Sequence, residues 1–277
     1  TPEGPIMRPI GNTLSNETKR DDSVELSRFF VFGEMVKGGG KVKIIFKSMI
    51  ITLILPFTCL IDNSFSFTGI GLERVKRGED CQRCDLSGED LTGVDLSWVD
   101  LTGADLTGVN LKGVNLNGVN LILAKLKGAN LQGADLTGAN LKGAYLQGAN
   151  LEGASLEGTD LQGVNLKGAN LKGANLKGAN LNGVNLFRAD LRGTDFTGAN
   201  MLRVYLERAD LNGADLSRAN LSQADLNGAD LSQADLGQAD LTGADFTGAK
   251  MKKVMGLEYA TKCKTIMPWG EENSGCK

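Results

Sequence analysis

From residue 84 to residue 253 the chain repeats itself every five residues, and no insertion or deletion breaks the phase. Stretches such as Ala104-Asp105-Leu106-Thr107-Gly108 and Ala169-Asn170-Leu171-Lys172-Gly173 show the unit. With its large apolar residue taken as the centre, centres fall at 86, 91, 96 and onward to 251, which makes 34 units. Of these centres 30 are Leu, the others being Phe196, Met201, Phe246 and Met251. A small residue stands two positions before the centre in 33 units, Glu89 being the exception. Asp or Asn stands immediately before it in 29, and Gly two after it in 24.

A period of five matches neither the 3.6-residue stripe of a helix nor sustained two-residue strand alternation. Small, polar, large reads as in, out, in, a three-residue strand-like piece. The polar residue and Gly that follow have turn chemistry, because Gly adopts dihedrals that side chains disfavour. The chain is therefore expected to turn a corner every five residues and to close its leucines on an axis. Composition agrees, with 37 Gly and only 5% aromatic residues. There is no His, which excludes Ser-His-Asp and Cys-His pairs, His-ligated zinc and His acid–base catalysis. A net charge of −3 argues against a dedicated nucleic-acid binder. Gly38-Gly39-Gly40-Lys41 lacks the spacing and the following Ser or Thr of a phosphate loop. Carboxylate pairs are explained by the period, so no catalytic residue, cofactor or metal site is assigned.

The A-[DN]-L-x-G units resemble the pentapeptide-repeat family. That resemblance implies an all-β fold, a right-handed quadrilateral β-helix with four pentapeptides per coil. The 34 units would make 8.5 coils, about 40 Å at roughly 4.8 Å per layer. Cys81-x-x-Cys84-Asp85-Leu86-Ser87-Gly88 and the tail from Cys263 to Cys276 resemble the flanks of exported cyanobacterial members. Members of that group with signal peptides are associated with the periplasm or thylakoid lumen. Such tails usually carry Asp after Met-Pro, where this chain has Trp269, so a different local turn is expected.

The ends divide as follows. Residues 1–34, with Pro2, Pro5, Pro9 and Lys19-Arg20-Asp21-Asp22, read as disordered or as a non-native extension, with Met35 a credible start. Residues 35–66 read as a signal peptide: Lys37, Lys41, Lys43 and Lys47 precede an apolar run of 13 residues, 49–61, and Ser64-Phe65-Ser66 carries small residues where a signal peptidase looks. Thirteen helical residues span about 20 Å, too short for a bilayer core near 30 Å. Cleavage is expected after Ser66. Residues 67–83 form an N-terminal cap, with 71–77 a short helix turning Leu72 and Val75 toward the first coil. Residues 254–277 form a C-terminal cap.

Cleavage removes Cys59 and leaves Cys81, Cys84, Cys263 and Cys276, an even number in an exported protein and so suited to disulfides that staple both ends. Open solenoid ends need such caps. A C-x-x-C also fits a redox site or half a zinc site, though no second C-x-x-C and no βαβ context accompany it.

If four units make a coil, residues 20 apart stack in columns. Tyr145 and Tyr205 then replace Asp/Asn on one face, and Phe187 joins them there. Lys125, Lys127, Lys167, Arg188 and Arg208 collect on that face, as does Glu207. Aromatics among cations resemble the lining of an anionic-polymer or partner-binding groove. Ile122, Leu123 and Leu202 form a weaker outward apolar set on another face. Acidic runs from Asp85 to Asp105 and from Asp210 to Asp245 resemble the pentapeptide-repeat proteins that mimic DNA and bind gyrase, diluted here by Lys112, Lys142, Lys172, Lys177, Arg192 and Arg218. The expectation is a non-enzymatic exported scaffold or binding module. Its partner would be a protein or envelope polymer, with no nucleic acid, with membrane association only through the export signal, and with scope for an end-to-end or face-to-face homodimer. Gyrase binding and a C-x-x-C redox role are the alternatives.

Overall fold

A computed structural model describes residues Glu34–Gly38, Lys41–Ile45 and 68–276. The chain divides into two units, 1–60 and 61–277. In the first, β1 (Glu34–Gly38) pairs antiparallel with β2 (Lys41–Ile45), placing Glu34 opposite Ile45 and Gly38 opposite Lys41. Apart from Glu34, the last residue of the segment 1–34 read as disordered or non-native, both strands fall within the stretch 35–66 read as a signal peptide. Residues 1–33, the apolar run 49–61 and the expected cleavage site lie outside the described residues.

In the second unit the five-residue period becomes a coil of four pentapeptides. Each residue before a centre bridges in parallel to the residue 20 later: Asp85 to Asp105, Asp105 to Lys125, Lys125 to Tyr145, and onward to Asp235 with Met255. Centres and small residues face inward and are buried, as Leu171 and Ala174 show. Thr159 and Thr194 occupy small positions inside and stay satisfied, donating to the carbonyls of Leu136 (3.0 Å) and Leu171 (2.8 Å).

The backbone explains the rest of the motif, because each N–H needs a partner. The Leu171 and Gly173 N–H groups donate to the following coil at Asp190 O (2.8 Å) and Arg192 O (2.9 Å). Asn170 N–H donates back to Ala149 O at 3.0 Å, and Ala174 N–H closes its own turn on Leu171 O at 2.9 Å. The fifth N–H, on Lys172, is accepted by Asn170 Oδ1 at 3.1 Å. This Asx turn is the reason for Asp or Asn before nearly every centre.

The turn's last residue takes a left-handed φ. Ten units lack Gly there, and their Trp, Leu, Arg, Gln or Lys residues hold φ between 54° and 64° all the same. The inter-coil ladder imposes the turn; Gly only relieves its strain. Gly173 (φ 64°) has open space where a Cβ would stand, whereas a Cβ on Gly256 (φ 68°) would lie 2.6 Å from the backbone of Gly237. Gly173→Ala is accordingly expected to cost about 1–2 kcal/mol, the left-handed penalty alone. Gly256→Ala should cost clearly more, since backbone must move. Thermal melts of the two variants check this; equal shifts would contradict the close approach.

The ladder starts one unit earlier than the 84–253 boundary read from the sequence. Cys81 is buried at a centre position and its N–H donates to Asp100 O at 2.8 Å. Ahead of it, α1 (Thr68–Lys76) covers the open coil with buried Val75 and half-buried Leu72, as expected. Cys81 and Cys84 form a disulfide (Cα–Cα 5.5 Å), and a Cβ on Gly71 of α1 would lie 3.2 Å from Cys84 Cβ. The helix thus rests directly on the disulfide.

The far end also continues the coil, with one extra residue. Asp240 bridges to Thr261 and Asp245 to Ile266, 21 positions on, because a 3₁₀ turn at Leu257–Tyr259 absorbs the insertion. Thr265 and Met267 then take the inward positions, and β3 (Thr265–Met267) folds back antiparallel on β4 (Gly270–Glu272). Trp269 sits in that turn and donates from Nε1 to Glu272 Oε1 at 2.7 Å. Lys262 stands where a leucine centre would, 8% exposed. Its ammonium donates to Leu257 O (2.8 Å) and lies 3.8 Å from Glu272, so a satisfied cation closes the apolar axis. A second disulfide, Cys263–Cys276, ties the last residues to this cap.

Candidate functional site

Five units lack Asp or Asn before the centre, carrying Lys125, Tyr145, Ser155, Tyr205 or Lys250 instead. Three of the five lie in one column, whose bridges run Asp105, Lys125, Tyr145, Asn165, Asn185, Tyr205, Asp225. Neither Lys nor Tyr offers an oxygen to the N–H two residues on, so each gives up an Asx turn worth about 0.5–1.5 kcal/mol. Such a loss, concentrated on one face, points to use of that face rather than to stability.

Other faces differ. One carries an amide ladder in which Asn110, Asn130, Asn150 and Asn170 each donate to the residue 20 earlier, ending on Asp90. A second runs from Asn220 through Asn200 and Asn180 to Asp160. On the tyrosine face the ladder is interrupted by rings, with Tyr145 48% and Tyr205 49% exposed. Three layers separate them, about 14 Å.

The expected neighbours are there. Phe187 stands at the turn after the column, with Lys167 Nζ 5.2 Å and Arg188 Cζ 5.0 Å from its ring centroid, both within cation–π range. Lys127, Lys167, Arg188 and Arg208 occupy the same corner of the coil, with Gln147 in the layer between the two lysines and the Arg188 N–H donating to Glu207 O at 3.1 Å. Lys125 is partly committed, 3.2 Å from Asp105 Oδ2. Burial would raise the Asp105 carboxyl, but Thr107 and Lys125 hold it below the usual carboxylate range. Burial, joined by the adjacent Asp225 carboxyl, pushes Glu207 up.

Ile122, Leu123 and Leu202 stand at the opposite corner, immediately before the tyrosine column in the chain. Leu123 lies over Gly143, its Cδ2 3.0 Å from where a Cβ would be. They therefore border the tyrosine face. Trp98, 76% exposed and folded over Gly118, lies on a different corner and was not singled out from the sequence. Its signal was visible as a bulky residue in a Gly position. Among the described residues no group of His, Cys, Asp and Glu is placed to hold a metal ion.

The family profile for pentapeptide repeats matches 80–118, 104–143, 144–183, 185–223 and 219–254, with 8 copies. No curated protein is significantly similar to the chain. Among solved structures, HetL, a pentapeptide repeat protein involved in heterocyst differentiation regulation in Nostoc sp. strain PCC 7120, is 36% identical; the match covers 70% of this chain and 91% of HetL, with a TM-score of 0.36. A trypsin-treated form of QnrB1, a plasmid-mediated fluoroquinolone resistance protein, is 25% identical over 63% of this chain and 89% of its own, with a TM-score of 0.50. A pentapeptide repeat protein of the Arabidopsis thaliana thylakoid lumen is 24% identical over 63% of this chain and 66% of its own, with a TM-score of 0.14. The repeat match spans more than half of the sequence and coincides with the coiled segment, and the chain therefore belongs to the pentapeptide-repeat family.

Proposed function

We propose that this chain is a right-handed quadrilateral β-helix, exported to the periplasm or thylakoid lumen, that acts without catalysis as a binding module for an anionic protein or envelope polymer. One observation carries the reading. Tyr145, Phe187 and Tyr205 share a face with Lys167, Arg188 and Arg208, and the two tyrosines stand there at the cost of backbone partners that Asp or Asn would have supplied. Export is supported by the two disulfides, which persist in oxidising compartments, and by the lysines ahead of the apolar run 49–61. The absence of His supports a role other than acid–base catalysis.

Pull-downs from an envelope fraction test the face. Purified protein is expected to recover a partner that the Tyr145→Ser, Phe187→Ser, Tyr205→Ser variant loses. Ser is tolerated before a centre, since Ser155 bridges there to Asp135 and Asn175. Equal recovery by both proteins would discard the face. A second reading is favoured by the likeness to QnrB1 and by the acidic columns Asp190–Asp210–Asp230 and Asp195–Asp215–Asp235: a DNA mimic that binds gyrase. Recovery of a topoisomerase equally by both proteins, together with inhibition of gyrase supercoiling, would favour it.

A further inference from the structure

Resting on the binding face proposed above, we infer that its occupant is a short stretch of an acidic polysaccharide, lying along the coil axis with sugar rings on Tyr145 and Tyr205 and carboxylates toward Arg188 and Arg208. The N–H and C=O groups of both tyrosines are engaged in the ladder. Tyr145 N–H donates to Ala124 O (3.0 Å) and its carbonyl accepts from Leu126 (2.8 Å); Tyr205 N–H donates to Val184 O (3.0 Å) and its carbonyl accepts from Leu186 (2.8 Å). An extended peptide would find no strand edge to pair with, which is how such segments gain much of their affinity. A polymer held by side chains alone has no such need. Half-exposed tyrosine rings offer the electron-rich faces on which the C–H face of a sugar packs.

Charge decides the rest. The corner that follows the tyrosines carries Lys127, Lys167, Arg188 and Arg208, while the opposite corner carries Leu123 and Leu202 with the fewer cations Lys142 and Arg203. A chain with anionic groups along one edge matches that asymmetry, and a neutral glucan leaves the cations unused. The face is also bounded. Asp85 and Asp105 precede Lys125 in the column, and Asp225 and Asp245 follow Tyr205. The four layers from Lys125 to Tyr205 measure about 19 Å, so an anionic polymer meets repulsion beyond that length.

Calorimetric titration of the purified protein with oligogalacturonates of increasing length tests this, with cello-oligosaccharides and polyglutamate as comparators. Affinity for the uronates is expected to rise with length up to about 19 Å and then level off. Tyr145→Ser with Tyr205→Ser should weaken it at least tenfold. Arg188→Gln with Arg208→Gln should weaken it and flatten its salt dependence. Tyr259→Ser, an exposed ring at the far cap, should leave it unchanged, and cello-oligosaccharides should bind at least tenfold more weakly. Uronate binding indifferent to the tyrosine variant would overturn the inference. If polyglutamate binds instead, with the same dependence on the variants, the polysaccharide is excluded while the binding face stands. If neither anion binds, both fall.

Discussion

Leu171→Asp is expected to abolish the cooperative thermal transition of the coil at neutral pH. Leu171 is fully buried, and so are Leu151 and Leu191, one coil on either side in the same inward column. Losing the leucine forfeits about 1.5–3 kcal/mol of burial. An unpaired carboxylate in that place adds several kcal/mol more. Together these rival the whole stability of an ordinary domain, about 5–15 kcal/mol. Circular dichroism during heating is the measurement, and Lys172→Asp is the control. That residue is exposed one position further on, where substitutions usually shift stability by no more than about 0.5 kcal/mol. An unchanged melting curve for Leu171→Asp would refute the inward assignment on which every column depends.

Replacing Cys263 and Cys276 together by Ser should loosen the C-terminal cap without unfolding the coil. Their bond closes a loop with a sequence separation of 13, which corresponds to about 3 kcal/mol of restricted chain entropy. Amides of β3 and β4, with Lys262 N–H bonded to Ser274 O at 2.8 Å, should then exchange about a hundredfold faster. Leu171 N–H, several coils away, should keep its protection, because stacked repeats couple mainly to their neighbours. Unchanged exchange in the cap would mean that Lys262 and the hairpin hold it without the disulfide.

Much of this was legible in the sequence because the repeat is so regular. In, out, in and turn follow from residue size and polarity at fixed spacing; the capping helix expected over 71–77 from its apolar spacing runs over 68–76, with Val75 buried. The grouping of Tyr145 with Tyr205 and Phe187 needed one further fact, four units to a coil, which came from family resemblance. The parallel bridges 20 residues apart now supply it directly. Less regular features were hidden. Lys262 reads as a surface lysine until the single-residue insertion after Met255 shifts it into a centre position. Cys81 reads as part of a motif ahead of the repeat, yet it occupies an inward position of the first coil.

The sequence by itself determined which residues face the axis and where the chain turns, since those choices are repeated locally in every unit and the burial of a leucine needs no distant partner to be anticipated. Only the tertiary structure decided how the ends close and which outer residues share a face. Both depend on contacts that reach beyond one repeat unit: the bridges 20 residues apart that put Lys125, Tyr145 and Tyr205 in one column, Gly237 against Gly256, and the Lys262 ammonium near Glu272. Stacking creates those contacts, and no five-residue window contains them.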